Sequence, residues 1–280
     1  MFVNLVLAFA VYSLIGWVCE SVFCSILFRR FVNRGFLNGP FCPIYAVGAF
    51  LLLALFGNLR AAPDIRSMAF APYVLLVFAV GTAVTSVVEY FTSWLLEVLF
   101  HARWWDYSEN KFNLNGRVCL VNSLLFGLMC VALVFGLGPF TAAGIALLPH
   151  PARELLAGAF VVYFAADFTV TVASMQRFNK RLAALQKAVQ ALRERLDATE
   201  LYAALNPRER IEQLRGLLDS DPLASLRDTM LRLSGAVRGS QLRLLRAFPE
   251  MRSTRYPELL AQLREWLPAA RLMRRGKRKK

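Results

Sequence analysis

Histidine is nearly missing from this chain: there are two, His101 and His150, among 280 residues. No H-E-x-x-H, G-x-S-x-G or G-x4-G-K-[ST] pattern occurs either. These gaps argue against a zinc hydrolase, a nucleophile-elbow esterase and a phosphate-loop ATPase. The expectation is therefore a protein that is not an enzyme, binds no cofactor and cannot hydrolyse ATP by the usual route. Cysteine is also sparse. Cys19, Cys24, Cys42, Cys119 and Cys130 are odd in number and lie within or beside apolar stretches. This pattern does not suggest a disulfide framework, and such residues usually act as small buried hydrophobes.

Charge is scarce and unevenly placed. Only 19% of the residues are charged and 57% are hydrophobic. Residues 1–175 hold 9 Lys/Arg against 8 Asp/Glu, whereas residues 176–280 hold 24 against 11. The two parts belong in different solvents, with a boundary near Gln176. The N-terminal apolar run has no basic residue ahead of it and continues to Phe28. It reads as a first membrane span rather than a cleaved leader.

Crossing a bilayer takes about 20 apolar residues. Five stretches qualify, at about 2–28, 41–58, 72–99, 118–138 and 155–175. The apolar segment Pro139 to Leu148 is short and reads as interfacial or re-entrant. The fold class is thus all-α, a polytopic transmembrane domain over 1–175 followed by a basic helical region over 176–280. Arg29, Arg30 and Arg34 in the first loop, Arg103, Lys111 and Arg117 in the third, and the basic tail place the C-terminus in the cytoplasm and the N-terminus outside a bacterial inner membrane. In the tail, Leu182, Leu185, Val189, Leu192 and Leu196 form a seam of the coiled-coil kind. Pro207, Pro222, Pro249, Pro257 and Pro268 then divide the rest of the tail into short helices. The basic end, Arg274 to Lys280, is expected to be disordered beside anionic lipid. Nucleic-acid binding is not expected.

Sliding the sequence by 77 residues reveals an internal repeat, with eight identities over the 26 positions from Trp17 to Cys42. Trp17 falls on Trp94, Glu20 on Glu97, Phe23 on Phe100, Asn33 on Asn110, Leu37-Asn38-Gly39 on Leu114-Asn115-Gly116, and Cys42 on Cys119. Each copy reads as a two-helix hairpin, over about 2–58 and 72–138, with an Asn-Gly loop on the cytoplasmic side. Glu20 and Glu97 are then expected to face each other or a shared cavity.

Polar residues inside the spans carry the functional argument. Thr82, Ser86, Glu89, Ser93 and Glu97 are spaced by four, three, four and four residues. They make one stripe along a helix, which should line a cavity or a helix seam. Asp167, Thr171 and Ser174 make a shorter stripe. A charged group in hydrocarbon costs several kcal/mol, which leaves three readings of the carboxylates. They line a site for a cation or a polar or cationic solute; they pair with Arg34, Arg103 or Arg117 and lock the bundle; or Glu20 and Glu97 join Cys42 and Cys119 around zinc. No local C-x2-C or H-x3-H spacing supports the third.

The segment YSLIGWVCESVFCSILFRRFVNRGFLNGPFCPIYAVG (Tyr12 to Gly48), with EYFTSWLLEVLF, WWDYS and FNLNGRVCLVNSLLFG between Glu89 and Gly127, resembles the bacterial family of type IV ABC-transporter permeases. The resemblance covers about residues 8–175. It implies a multi-span permease that works with a separate ATPase subunit. Residues matching the family's motifs in the first unit are Trp17, Glu20, Asn33, Arg34, Gly35, Asn38, Gly39, Pro40, Cys42, Pro43 and Tyr45. In the second they are Glu89, Glu97, Trp105, Asp106, Tyr107, Asn115, Gly116, Arg117 and Cys119. Ala46 departs from the glycine expected there.

The combined reading is a permease with a solute site between the repeats, and its small number of spans suggests a homodimer. Glu20, Glu89, Glu97, Asn38, Asn115, Arg34, Arg117, Trp17, Trp94, Asp106 and Tyr107 are the candidate contacts. Asn33, Gly35, Gly39, Pro40, Cys42, Pro43, Gly116 and Cys119 shape the loops. The alternative is a membrane scaffold or regulator whose basic tail binds a partner or anionic lipid.

Overall fold

The computed structural model describes residues 1–59, 62–197 and 240–261. They divide into two units, one of Met1–Val172 with Arg246–Met251 and one of the described remainder. The first unit begins with α1, Phe2–Leu27, and α2, Pro43–Leu59. Pro43 opens α2, where its missing N–H costs no helix bond. A single turn, α3 (Pro63–Arg66), leads to the 31-residue α4, Phe70–Phe100. Next come α5 (Leu120–Ala132), a π-helical turn (Leu133–Leu137) and α6 (Gly138–Leu147). The last span belongs to α7, His150–Asp197, and a short α8 covers Ser240–Ala247.

Among the described residues, four helical runs are long and apolar enough to cross a membrane: Phe2–Leu27, Phe70–Phe100, Leu120–Leu147 and His150–Lys187. The chain is an all-α polytopic membrane protein. At 17 residues, α2 is shorter than these four. Between 17% and 22% of each long span's apolar window is buried in the protein. Most of its apolar surface therefore points outward, as Phe23, Ile26, Phe91, Leu125 and Leu155 do, and lipid is the solvent that tolerates it.

One boundary differs from the sequence reading. The segment from Pro139 to Leu148 is not a separate interfacial piece, because its helix continues from α5 through the π turn. Pro139 has no N–H to give and its ring crowds the preceding turn; the wider π turn just before it absorbs that mismatch. α7 runs on through Gln176 to Asp197. In that stretch Met175, Phe178, Leu182 and Leu185 are buried. The Val189, Leu192 and Leu196 side chains lie outside the described residues, as do Pro207, Pro222, Pro268 and Arg274 to Lys280.

The core sits between α1, α2, α4 and α5. Tyr12, Ala46, Leu52, Phe56, Tyr73, Val77 and Cys130 are its buried members. Ala46, where glycine was expected, is fully buried, so a methyl group fits at that contact. Phe9 joins three helices, with ring centroids 6.0 Å from Phe50 and 5.6 Å from Phe164. The α4–α5 seam closes through small residues. Ser86 Oγ donates to Ser123 Oγ at 2.8 Å, and a Cβ on Gly81 would come within 2.6 Å of Cys130 Cβ.

Gly81→Val should therefore overpack this seam and cost about 1–3 kcal/mol. Gly144→Ala, at a position with nothing within 4 Å of the added carbon, should not. Unfolding in detergent reads both; equal behaviour of the two variants would contradict the packing described.

Candidate functional site

The connection after α1 is organised by side chains rather than by regular structure. Asn33 is its hub: Oδ1 accepts from Trp17 Nε1 at 2.7 Å and from Gly35 N at 3.3 Å, while Nδ2 donates to Asn38 O at 3.2 Å. Ser21 and Ser25, near the end of α1, accept from the backbone N–H groups of Arg34 and Val32. Trp17, Asn33 and Gly35 thus shape the loop and carry no free polar group toward a solute.

Asp167 fastens that loop to α7. Its Oδ1 accepts from Asn38 N at 3.0 Å and Asn38 Nδ2 at 2.9 Å, and its Oδ2 accepts from Gly39 N at 2.7 Å. Thr171 Oγ1 accepts from Asn38 Nδ2 at 2.9 Å. A Cβ on Gly39 would collide with the Tyr163 hydroxyl, so a larger residue would force the Tyr163 side chain aside. Asn38, proposed as a solute contact, is occupied by Asp167.

The second Asn-Gly pair is built differently. Asn115 and Gly116 both have positive φ, 55° and 66°. They turn a hairpin in which Asn113 pairs with Cys119 and Leu114 with Val118. Such mirror-image turns suit Asn-Gly. Asn115 Nδ2 donates to the Tyr90 hydroxyl at 2.9 Å. Trp105 Nε1 donates to Arg117 O at 2.9 Å, and Tyr107 N to Gly116 O at 2.8 Å. Asp106 Oδ1 accepts from Ser108 N at 3.1 Å and lies 3.9 Å from Arg103. Trp94, the counterpart of Trp17, is exposed and leans on Phe91.

The three glutamates have unequal partners. Glu97 Oε2 lies 2.7 Å from Arg117 Nη2 and 3.5 Å from Arg103 Nε. Arg117 also donates to Ser93 Oγ at 3.3 Å. Glu20 Oε1 accepts from the Tyr45 hydroxyl at 2.7 Å, with Arg34 Nε at 3.9 Å from its other oxygen. Arg34 Nη1 is committed elsewhere, donating to Ala247 O at 2.6 Å, while its guanidinium covers the Phe248 ring at 4.5 Å. Glu89 is 6% exposed, and its Oε2 is buried without a hydrogen-bond partner. Its neighbours are the Tyr107 hydroxyl and the Glu20 carboxylate. The Tyr107 phenol, in the loop, is held well above its ordinary range by burial first and by Glu89 and Glu20 next. It therefore remains a neutral donor across the physiological range.

The structure thus brings together Glu20, Glu89, Tyr45, Tyr107 and Arg34. Glu97 sits in its own arginine clamp about two turns further along the stripe. Cys42 and Cys119 are buried in separate loops, where Cys42 Sγ lies 3.7 Å from Arg34 O and Cys119 Sγ accepts from Asn110 Nδ2 at 3.4 Å. Among the described residues, no three His, Cys, Asp or Glu side chains converge in a metal-binding set.

A family model described as "Putative ABC-transporter type IV" matches residues 7–172. The chain belongs to this family. Comparison with curated proteins and with solved structures finds no match. The matched segment of this ABC-transporter type IV member holds both loops, all three glutamates and Asp167. Family and apolar helices together make the chain a membrane transport component. Sequence reasoning placed Asp167 and Thr171 on a stripe but not as partners of Asn38. Their spacing of four residues was the available signal; the loop they would meet, 129 residues away for Asn38 and Asp167, was not.

Asp167→Asn should loosen the first loop by about 2–4 kcal/mol, because it removes the charge from several hydrogen bonds at once. A double-mutant cycle with Asn38→Ala, read by unfolding in detergent, should give a coupling of at least about 1 kcal/mol. Additive losses would contradict the contact.

Proposed function

We propose that the chain is the membrane permease of a transporter driven by a separate ATPase subunit, moving a cation or a polar or cationic small solute. Glu89 carries this reading: it is an intramembrane carboxylate, buried beside Glu20, with one oxygen unsatisfied. A residue kept only to lock helices together would have its partner in place, as Glu97 does. Intramembrane carboxylates without a partner usually mark a pathway or a binding site.

In this reading α2 is the fifth span, and the two hairpins are copies of one unit related about an axis along the membrane normal. The loops and C-terminus are cytoplasmic in a bacterial inner membrane. Glu20 and Glu89 meet the positive part of the solute. Arg34 and Arg117 orient the two loops, and Tyr107 donates to whichever carboxylate is ionised. Glu97, Trp94 and Asn115 line the approach. A homodimer would supply a complete pathway, since one subunit has few spans.

The contact of Arg34 with Ala247 and Phe248 favours one further role. A tail segment touches the loop that holds the site, so the basic region, recruited to anionic lipid, would regulate the permease. This is the scaffold reading recast as control.

Vesicles carrying the full chain and preloaded with guanidine, choline or putrescine should exchange at least one of them for labelled solute outside. Glu20→Gln should slow that exchange about tenfold or more, the scale expected when one charged partner is removed from a buried site. Exchange no faster than in empty vesicles, or unchanged in a folded Glu20→Gln protein, would sink the reading.

A further inference from the structure

Glu89 Oε2 is buried without a hydrogen-bond partner, and beside the carboxylate stand a neutral donor, the Tyr107 hydroxyl, and a second carboxylate, Glu20. The groups that face or flank Glu89 can be taken element by element. From α1 comes Glu20, a second negative charge. Tyr45 of α2 spends its hydroxyl on Glu20. From the loop after α4 comes Tyr107. In α5, Ser123 is bonded to Ser86, one turn before Glu89. The hairpin contributes Arg117, which is engaged by Glu97 and by Ser93, one turn after Glu89. Arg34 is engaged by Glu20 and Ala247. No Lys or Arg among the described residues forms an ion pair with Glu89.

A buried carboxylate with another carboxylate beside it needs a positive charge from outside. A metal cation would require several converging oxygens, and the described residues offer no such set of His, Cys, Asp or Glu. One open oxygen in a buried site fits the smallest cation. We propose that Glu89 is a proton-binding site that takes up one proton at Oε2 and returns it to water. The step is Glu89–COO⁻ plus H⁺ giving Glu89–COOH; no other bond forms or breaks. Glu20, with its side chain 28% exposed, is the less buried acid of the pair and would pass the proton on. Tyr107 stays neutral and donates to Glu89 when the proton has left. The inference rests on the permease reading for its consequence, which is that solute movement is linked to proton movement.

The test is an infrared pH titration of the purified full-length protein, comparing wild type with Glu89→Gln. The expected result is a carboxylic-acid C=O band in wild type that disappears reversibly as pH rises and is lost in Glu89→Gln. Glu89→Asp should restore a titrating band at a shifted frequency, and it serves as the decisive variant should Glu89→Gln not fold. Superimposable titrations of wild type and a folded variant would overturn the proposal. So would a band abolished by sodium at constant pH, which would assign the site to a metal cation. Solute exchange in vesicles separates the two claims. A titrating Glu89 band with no exchange in wild type sinks the permease reading and leaves the proton site standing; exchange without a Glu89 band does the reverse.

Discussion

A carboxylate among apolar helices needs a hydrogen-bond donor, a cation or a proton, and the membrane unit is arranged around how Asp167, Glu97, Glu20 and Glu89 each meet that need. Asp167 takes backbone and side-chain donors from the first loop and thereby holds Asn38 and Gly39 against α7. Glu97 takes Arg117 and Arg103 and thereby fixes the second loop over the end of α4. Glu20 takes Tyr45 and a distant Arg34. Glu89 Oε2 and Glu97 Oε2 are both buried without a hydrogen bond, but Arg117 lies 2.7 Å from Glu97 Oε2, whereas no Lys or Arg among the described residues pairs with Glu89. Ion pairs of this kind do little for net stability, because desolvation offsets attraction, but removing one partner strands the other at a cost of about 3–5 kcal/mol. They fix which loop conformation is allowed, and so they determine the shape of the space around Glu89.

The spans were legible because lipid imposes a long apolar run that no soluble helix needs. Apolar runs report length well but report continuity poorly. Pro139 looked like an end, yet a π turn carries the helix past it, because a helix continues wherever its own backbone bonds can be made.

The candidate site was partly legible. The stripe from Thr82 to Glu97 follows from helical spacing, and it does meet α5 through Ser86 and the hairpin through Ser93 and Glu97. The equivalence of the two Asn-Gly pairs suggested the same job for both. In the structure one pair is a left-handed turn, whereas the other is a close approach to Asp167 and Tyr163. An identical dipeptide can be kept for positive φ or for lack of a Cβ, and only the partner from a distant helix distinguishes them. The choice between solute site and structural lock was also closed to sequence, because it depends on which arginine reaches which glutamate.

The central claim is that Glu89, and not Glu20 or Glu97, is the acid without a cationic side chain beside it. Labelling the full-length protein with a membrane-soluble carbodiimide, which attacks protonated carboxyl groups in apolar surroundings, tests this directly when adducts are mapped by peptide mass spectrometry. The account predicts modification at Glu89, with Glu97 protected by its arginines and Glu20 reacting far less. Equal labelling of all three, or labelling of Glu97 with Glu89 untouched, would contradict it.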